Sequence, residues 1–372
     1  MRREKQLGHP NLHLPLPQMT ASKPRFDFRK LVFTVMLLVF IFVVVTRLGQ
    51  VEQLWQTLRR GRLEWVALAV ALQGLTLLNQ PALYQSLYQL VGLQIRWREL
   101  VPVVWAAHFV NIVTPAAGLG GTALLLDAAR RHGLDMGRVT LANTLYFLFN
   151  FIVFVLLLGF SLVMLFLWHD LKDYEVLVAA IPLLGVVVAL FSLWLVAARP
   201  QSFERVALAI GRGINKISAR VLKRQLLPPA KTSAFAATFA GAADALRTAR
   251  AKLARPCLHA SLVDTLEILV LGACFAAFPG AGRVITPAIL VVGYAIGTLF
   301  LVVSVTPQGL GVVEGVMTAT FVSLGVPLER AAVVVLAYRG LSFWLPLAVG
   351  FCALRWAPNL RAPASGELQV ES

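Results

Sequence analysis

The chain has 372 residues, of which 58% are hydrophobic and 14% charged, with a formal net charge of +16. Soluble domains carry about 25% charged residues, so one water-facing fold would leave far too much apolar surface exposed. The composition excludes a soluble globular domain and predicts an all-α polytopic membrane protein, because helices satisfy their own backbone groups in lipid and the alternating strands of a barrel are missing.

Residues 1–30 are polar, basic and proline-containing, which predicts a cytoplasmic tail. Leu31–Leu48 is the first apolar run. The Gly49-Gln50-Val51-Glu52 that follows lacks the small-x-small pattern of signal cleavage, so an uncleaved anchor is expected. Further runs near the 20 residues needed to span lie at Trp65–Leu83, Thr140–Trp168, Val176–Ala198, Cys257–Phe278 and Ala331–Leu354. With the two interrupted segments set aside, six full spans are therefore predicted, four in 31–198 and two in 257–356. A short tail, 357–372, closes the chain.

The interrupted segments are Leu100–Leu126 and Ile285–Leu324. The first contains Val113-Thr114-Pro115-Ala116-Ala117-Gly118-Leu119-Gly120-Gly121. The second contains Val305-Thr306-Pro307-Gln308-Gly309-Leu310-Gly311-Val312-Val313-Glu314-Gly315. Irregular backbone at membrane depth is tolerated only where protein buries it or a cavity is lined by it, so both read as re-entrant or broken helices. The two breaks stand 192 residues apart, and the same offset pairs Gly133 with Gly325, Arg138 with Arg330, Tyr146 with Tyr338 and Phe151 with Phe343. One single-residue insertion is needed between the two glycine runs. Interrupted segments at corresponding places in two halves point to a transport site at the bilayer midplane.

Charge placement orients the spans. With the N-terminus in the cytoplasm and both broken segments returning to their side of entry, the inside segments hold 26 Lys and Arg and the outside loops 6. Arg59, Arg60 and Arg62 on the outer side run against the trend. Both termini are then cytoplasmic, and the two broken segments enter from opposite faces, which makes the repeats inverted. The linker, 199–256, holds 12 of the 34 Lys and Arg, the largest share of any segment. Phe203, Val206, Ile210, Ile214 and Ile217 recur at helical spacing with Arg205, Arg212, Lys216 and Arg220 between them, so an amphipathic helix against anionic headgroups is expected. A plain surface linker between halves is the simpler reading of the same residues.

Charged groups inside spans cost about 2.5–3.5 kcal/mol each and mark pathways or paired sites. Asp264 and Glu267 lie three apart on one helix face. Glu314 follows the second glycine break, and Arg339, beside Tyr338 in the last span, needs a partner for which Glu314 is the obvious choice. Paired carboxylates can hold a proton or a cationic group, and a guanidinium can grip a lipid phosphate by a forked contact. A purely structural Glu314–Arg339 pair, and an Asp264 that merely snorkels, are the competing readings. Asn111, four residues before Pro115, suits either capping or headgroup contact. His108 and Asn143 suit hydrogen-bonded core. Pro115, Gly118, Gly120, Gly121, Pro307, Gly309 and Gly311 make up the backbone breaks and are expected to gate. The glycine runs lack the lysine of a P-loop, and no catalytic triad or zinc-type cluster is legible, so no cofactor, metal or catalytic residue is expected. Cys257, Cys274 and Cys352 read as small core residues.

Pro307–Glu314, in the pattern Pro-x-Gly-Leu-Gly-x-x-Glu, followed by Gly325-Val326-Pro327 and Tyr338-Arg339-Gly340-Leu341-Ser342-Phe343, resembles the flippase-like transmembrane family typified by the membrane portion of lysylphosphatidylglycerol synthases. The resemblance covers roughly residues 31–356 and implies movement of an anionic phospholipid or polyprenyl-linked lipid between leaflets of a bacterial cytoplasmic membrane. The synthases' aminoacyl-transfer domain has no counterpart here. Thr122-Ala123-Leu124-Leu125-Leu126 departs from the charged residue usual after the first glycine pair, and Tyr146-Phe147 stands where a second Tyr-Arg would fall. The rival expectations are a membrane-embedded transferase acting on a lipid-linked sugar or aminoacyl donor, and a non-transporting partner of a membrane or cytosolic synthase. Nucleic acid is not an expected partner.

Overall fold

The computed structural model describes residues 61–113, 119–168, 252–280, 282, 284–304 and 307–356, with a few isolated helical positions between 184 and 215. Every regular element among them is helical: α1 (Leu63–Leu90), α2 (Trp97–Val113), α3 (Leu119–Arg131), α4 (Met136–Trp168), α5 (Ala254–Ala277), α6 (Pro287–Val303), a 3-10 turn (Pro307–Gly309), α7 (Val312–Ser323), α8 (Leu328–Arg339), a π turn (Gly340–Trp344) and α9 (Leu345–Trp356). Among the described residues, four stretches are long and apolar enough to cross a membrane: Leu63–Leu90, Met136–Trp168, Ala254–Ala277 and Leu328–Arg355. They fall on four of the spans expected from the sequence. The expected spans Leu31–Leu48 and Val176–Ala198, both tails and nearly all of the basic linker lie outside the described residues.

α1 and α5 pack against each other in opposite directions. The Arg62 N–H, just before α1, donates to the Ala277 carbonyl at the end of α5 (3.0 Å). Farther along, the Gln73 amide donates to Glu267, and the Asn79 amide donates to the His259 carbonyl (2.8 Å) while its oxygen meets the His259 ring (2.6 Å). Pro81 sits inside α1 and has no N–H for the Leu77 carbonyl. That carbonyl is taken instead by the Trp105 indole N–H of α2 (2.8 Å), the kind of neighbour that makes proline tolerable in a spanning helix.

Both interrupted segments fold as helical hairpins. In the second, Gly293 of α6 faces Phe321 of α7, and one turn on Gly297 faces Met317, so the arms run antiparallel at glycine-limited distance. In the first, Gly121 of α3 lies against the Ala107 carbonyl and Asn111 of α2. The arms of the second hairpin, 287–303 and 312–323, keep the expected break at Pro307–Gly311; in the first, the arms are 97–113 and 119–131, and residues 114–118, with Pro115 and Gly118, are outside the described set.

The hairpins end alike. After α3, the Gly133 N–H donates to Arg130 O and the Leu134 N–H to Ala129 O; after α7, the Gly325 N–H donates to Val322 O and the Val326 N–H to Phe321 O. Both glycines have positive φ, 65° and 88°, in the same helix-ending motif. The next paired residues also act alike. Arg330 donates from Nε to Phe278 O and from Nη1 to Gly280 O, just past α5, while Arg138 lies beside Gly92, just past α1.

The last span is not one regular helix. α8 passes through the π turn before α9 begins, and Pro346 sits in the first turn of α9. A proline ring collides with the carbonyl four residues back, here Ser342, and widening the helix at that point relieves the collision. The sequence reading of Ala331–Leu354 as a plain span lacked this detail. α4 faces outward along most of its length, with Leu156, Val163, Phe166 and Leu167 exposed, as suits a lipid-facing helix.

Candidate functional site

The break in the second hairpin is a left-handed turn. Gln308, Gly309 and Gly311 have φ of 53°, 64° and 85°, and among the described residues Gln308 is the only non-glycine with positive φ. This turn frees backbone groups that the helix would have paired. Glu314, at the third position of α7, reaches back so that Oε2 accepts the Gly311 N–H (2.6 Å). Its other oxygen accepts from Arg339 Nε (3.0 Å), and Arg339 Nη2 donates to the Gln308 carbonyl (2.7 Å). One guanidinium thus holds a carboxylate and an irregular carbonyl together, tying the hairpin turn to the end of α8. Arg339 is only 8% exposed, whereas the Glu314 side chain keeps 27% of its surface. The predicted Glu314–Arg339 partnership is therefore met.

Glu314 also sits at one end of an open apolar groove of about 630 Å³ between α7 and α8, lined farther along by Thr318, Val322, Leu328, Val335 and Leu336. The groove thus carries a carboxylate at one end and hydrocarbon along the rest, with the buried Arg339 guanidinium bonded to that carboxylate from behind.

Behind this latch lie the other two carboxylates. Tyr338, next to Arg339, donates to Glu267 Oε2 (3.0 Å), and Gln73 Nε2 donates to Glu267 Oε1 (3.0 Å). Asp264, one turn away and 9% exposed, accepts from Tyr294 of α6 (2.6 Å). It does not snorkel to an interface. Tyr146 of α4, the first-half counterpart of Tyr338, also lies within electrostatic reach of Asp264 and stacks on Tyr84 of α1, with ring centroids 4.3 Å apart. Residues from α1, α4, α5, α6 and α8 thus converge on one interior polar cluster.

Asn111 stands elsewhere. Its Oδ1 accepts the Gly121 N–H (2.6 Å), which caps the start of α3 and clamps the first hairpin. This is the capping role of the two that the sequence allowed. Gly120 lies in the first turn of α3 beside it, and Asn143 donates to Val139 O within α4. Neither is joined to the charged cluster by a hydrogen bond.

Sequence reasoning missed Gln73, Tyr294 and Gln308. Gln73 carried a signal, being a large amide in the middle of the Trp65–Leu83 run. Tyr294 and the Gln308 carbonyl carried none, because only the fold brings them to Asp264 and Arg339. Among the described residues no group of three His, Cys, Asp or Glu side chains could hold a metal ion.

Spanning helices, two helical hairpins and a buried charged cluster beside one of them define an integral membrane protein with an interior polar site. The chain belongs to the family of the lysylphosphatidylglycerol synthase transmembrane region, whose model matches residues 30–350. It is also similar to a UPF0104 membrane protein of Methanothermobacter thermautotrophicus, 24% identical over 310 residues that cover 82% of this chain and 88% of that one.

Proposed function

We propose that this protein moves an anionic lipid, a phospholipid or a polyprenyl-linked lipid, between the leaflets of a bacterial cytoplasmic membrane. The observation that carries the reading is the Glu314–Arg339 latch, whose carboxylate lines one end of the α7–α8 groove. A lipid phosphate offers the same acceptor geometry as the Glu314 carboxylate and binds guanidinium at least as well. In this scheme the phosphate takes Arg339 from Glu314, the acyl chain lies in the groove, and the released turn at Gln308–Gly311 lets the hairpin shift. Glu267 and Asp264, one helix away, set the charge that the headgroup meets.

The scheme treats the two halves as an inverted repeat of six spans and two re-entrant hairpins, with both termini in the cytoplasm. Three features support this. The equivalent helices α1 and α5 run antiparallel, the hairpin-ending turns are bonded alike at a constant offset, and Arg138 and Arg330 sit at the ends of equivalent helices. Pseudo-symmetry of that sense supplies two half-pathways, one to each leaflet. Anionic headgroups are then the partners of the basic linker.

The test is leaflet exchange of a fluorescent anionic lipid in proteoliposomes. Arg339→Ala is expected to lower the rate about tenfold or more, as loss of a charge-assisted contact predicts. Exchange at the wild-type rate would remove Arg339 from the site.

A further inference from the structure

The Asp264–Glu267 pair differs from the Arg339 latch in one respect. Its hydrogen-bond donors, Tyr294, Tyr338 and the Gln73 amide, are all neutral, and among the described residues neither carboxylate is in an ion pair. Arg339 lies within electrostatic reach of Glu267 but already bonds Glu314 and the Gln308 carbonyl. Its charge is matched by Glu314, which leaves two carboxylates uncompensated in the protein interior. Uncompensated buried charge is costly, and one added positive charge would relieve it.

A second, independent observation lies on the facing helix. Gln73 is 1% exposed, its amide nitrogen is committed to Glu267, and its Oε1 is buried with no hydrogen-bond partner among the described residues. Exchanging the amide's two ends would set Oε1 against the carboxylate, so the donor assignment follows from the charge it faces. Within one amide group the orphan acceptor can stand only about 2–3 Å from the nitrogen. An unpaired carbonyl oxygen and two uncompensated carboxylates therefore share one small region, and all of them lack the same thing. Buried acceptors gathered without a compensating positive charge call for a cation.

We infer that Gln73, Asp264 and Glu267 form a binding site for one monovalent cation, a sodium ion or a proton, between α1 and α5. A sodium ion would be held by Gln73 Oε1 and carboxylate oxygens, the hard oxygen ligands such an ion takes; a proton would sit on a carboxyl group. The titratable and charged groups facing the pair are Tyr294 from α6, Tyr338 and Arg339 from α8, Tyr146 from α4 and Cys274 on α5 itself. The inference deepens the translocation reading by naming its coupling ion, and binding can be measured whether or not lipid moves.

The full-length protein in detergent is melted in choline chloride, potassium chloride and sodium chloride at equal ionic strength. Infrared spectra at acid and alkaline pH, without sodium, report a protonated carboxyl group. A saturable rise in melting temperature with sodium, lost in E267Q and D264N, assigns sodium. No sodium response, with a carboxylic-acid band that titrates and is missing in E267Q, assigns the proton. Gln73→Leu keeps the shape and both carboxylates, and moves the midpoint about tenfold in sodium or proton concentration by removing one ligand oxygen. It also serves if the carboxylate variants fail to fold. Absence of both signals, or responses unchanged in all three variants, overturns the site. Loss of lipid exchange in Arg339→Ala with no cation signal would leave translocation standing and this site refuted.

Discussion

The two hairpins perform one mechanical task with different chemistry. In the first, Asn111 of α2 holds the start of α3 through a neutral hydrogen bond from the Gly121 N–H. In the second, Glu314 clamps the Gly311 N–H in the same way but adds a charge, and Arg339 closes the latch onto the Gln308 carbonyl. A neutral clamp holds backbone and has nothing to exchange with a ligand. A charged latch can be opened by a competing anion, so on the proposed translocation the first hairpin would do structural work and the second responsive work. The tyrosines differ as well: Tyr338 donates to Glu267, while its counterpart Tyr146, within electrostatic reach of Asp264, stacks on Tyr84.

The sharpest break of this comparison is Arg339→Ala. Besides slowing lipid exchange, it strands Glu314 and the Gln308 carbonyl, with an expected loss of about 3 kcal/mol in reversible unfolding from detergent. Adding Glu314→Ala recovers part of that loss if the pair is coupled; simple additivity of the two would mean the latch carries no energy of its own.

Next come the close approaches. A side chain at Gly293 meets the Phe321 ring, and one at Gly121 meets the Ala107 carbonyl. Valine at either position is expected to cost about 1–3 kcal/mol of unfolding free energy. Trimming Phe321 to Leu should restore much of the loss in the second hairpin. No such rescue exists in the first, where the obstacle is backbone.

Trp105→Phe leaves the Leu77 carbonyl below Pro81 without its donor. A loss of about 1 kcal/mol is expected, with exchange activity kept. The smallest effect belongs to Asn111→Ala, about 0.6 kcal/mol, the average worth of a single side-chain hydrogen bond in a membrane protein. Normal lipid exchange in that variant is the outcome that keeps the first hairpin structural; a loss as large as that of Arg339→Ala would erase the distinction between the halves.

Much of this was readable in the residues. Length and apolarity located α1, α4, α5 and the α8–α9 span, because a spanning helix needs its whole run of side chains to be lipid-compatible. Proline and glycine located both breaks, since they act on their own backbone. Arg339 and Glu314 were paired because an interior guanidinium demands an anion and one carboxylate stood near the break. The π turn before Pro346 escaped notice, as it depends on how a helix widens around a ring rather than on any one residue's preference.

The sequence by itself determined the solvent this protein folds in, the places where its helices break, and which side chains would be charged inside it, because each follows from local composition and backbone chemistry. Tertiary structure alone decided that Gln73 of α1 and Tyr294 of α6 meet the carboxylates of α5, and that Arg339 closes on the Gln308 carbonyl. Those contacts join residues far apart in the chain, and they exist only because antiparallel packing of α1 on α5, with α6 and α8 alongside, brings the polar faces together.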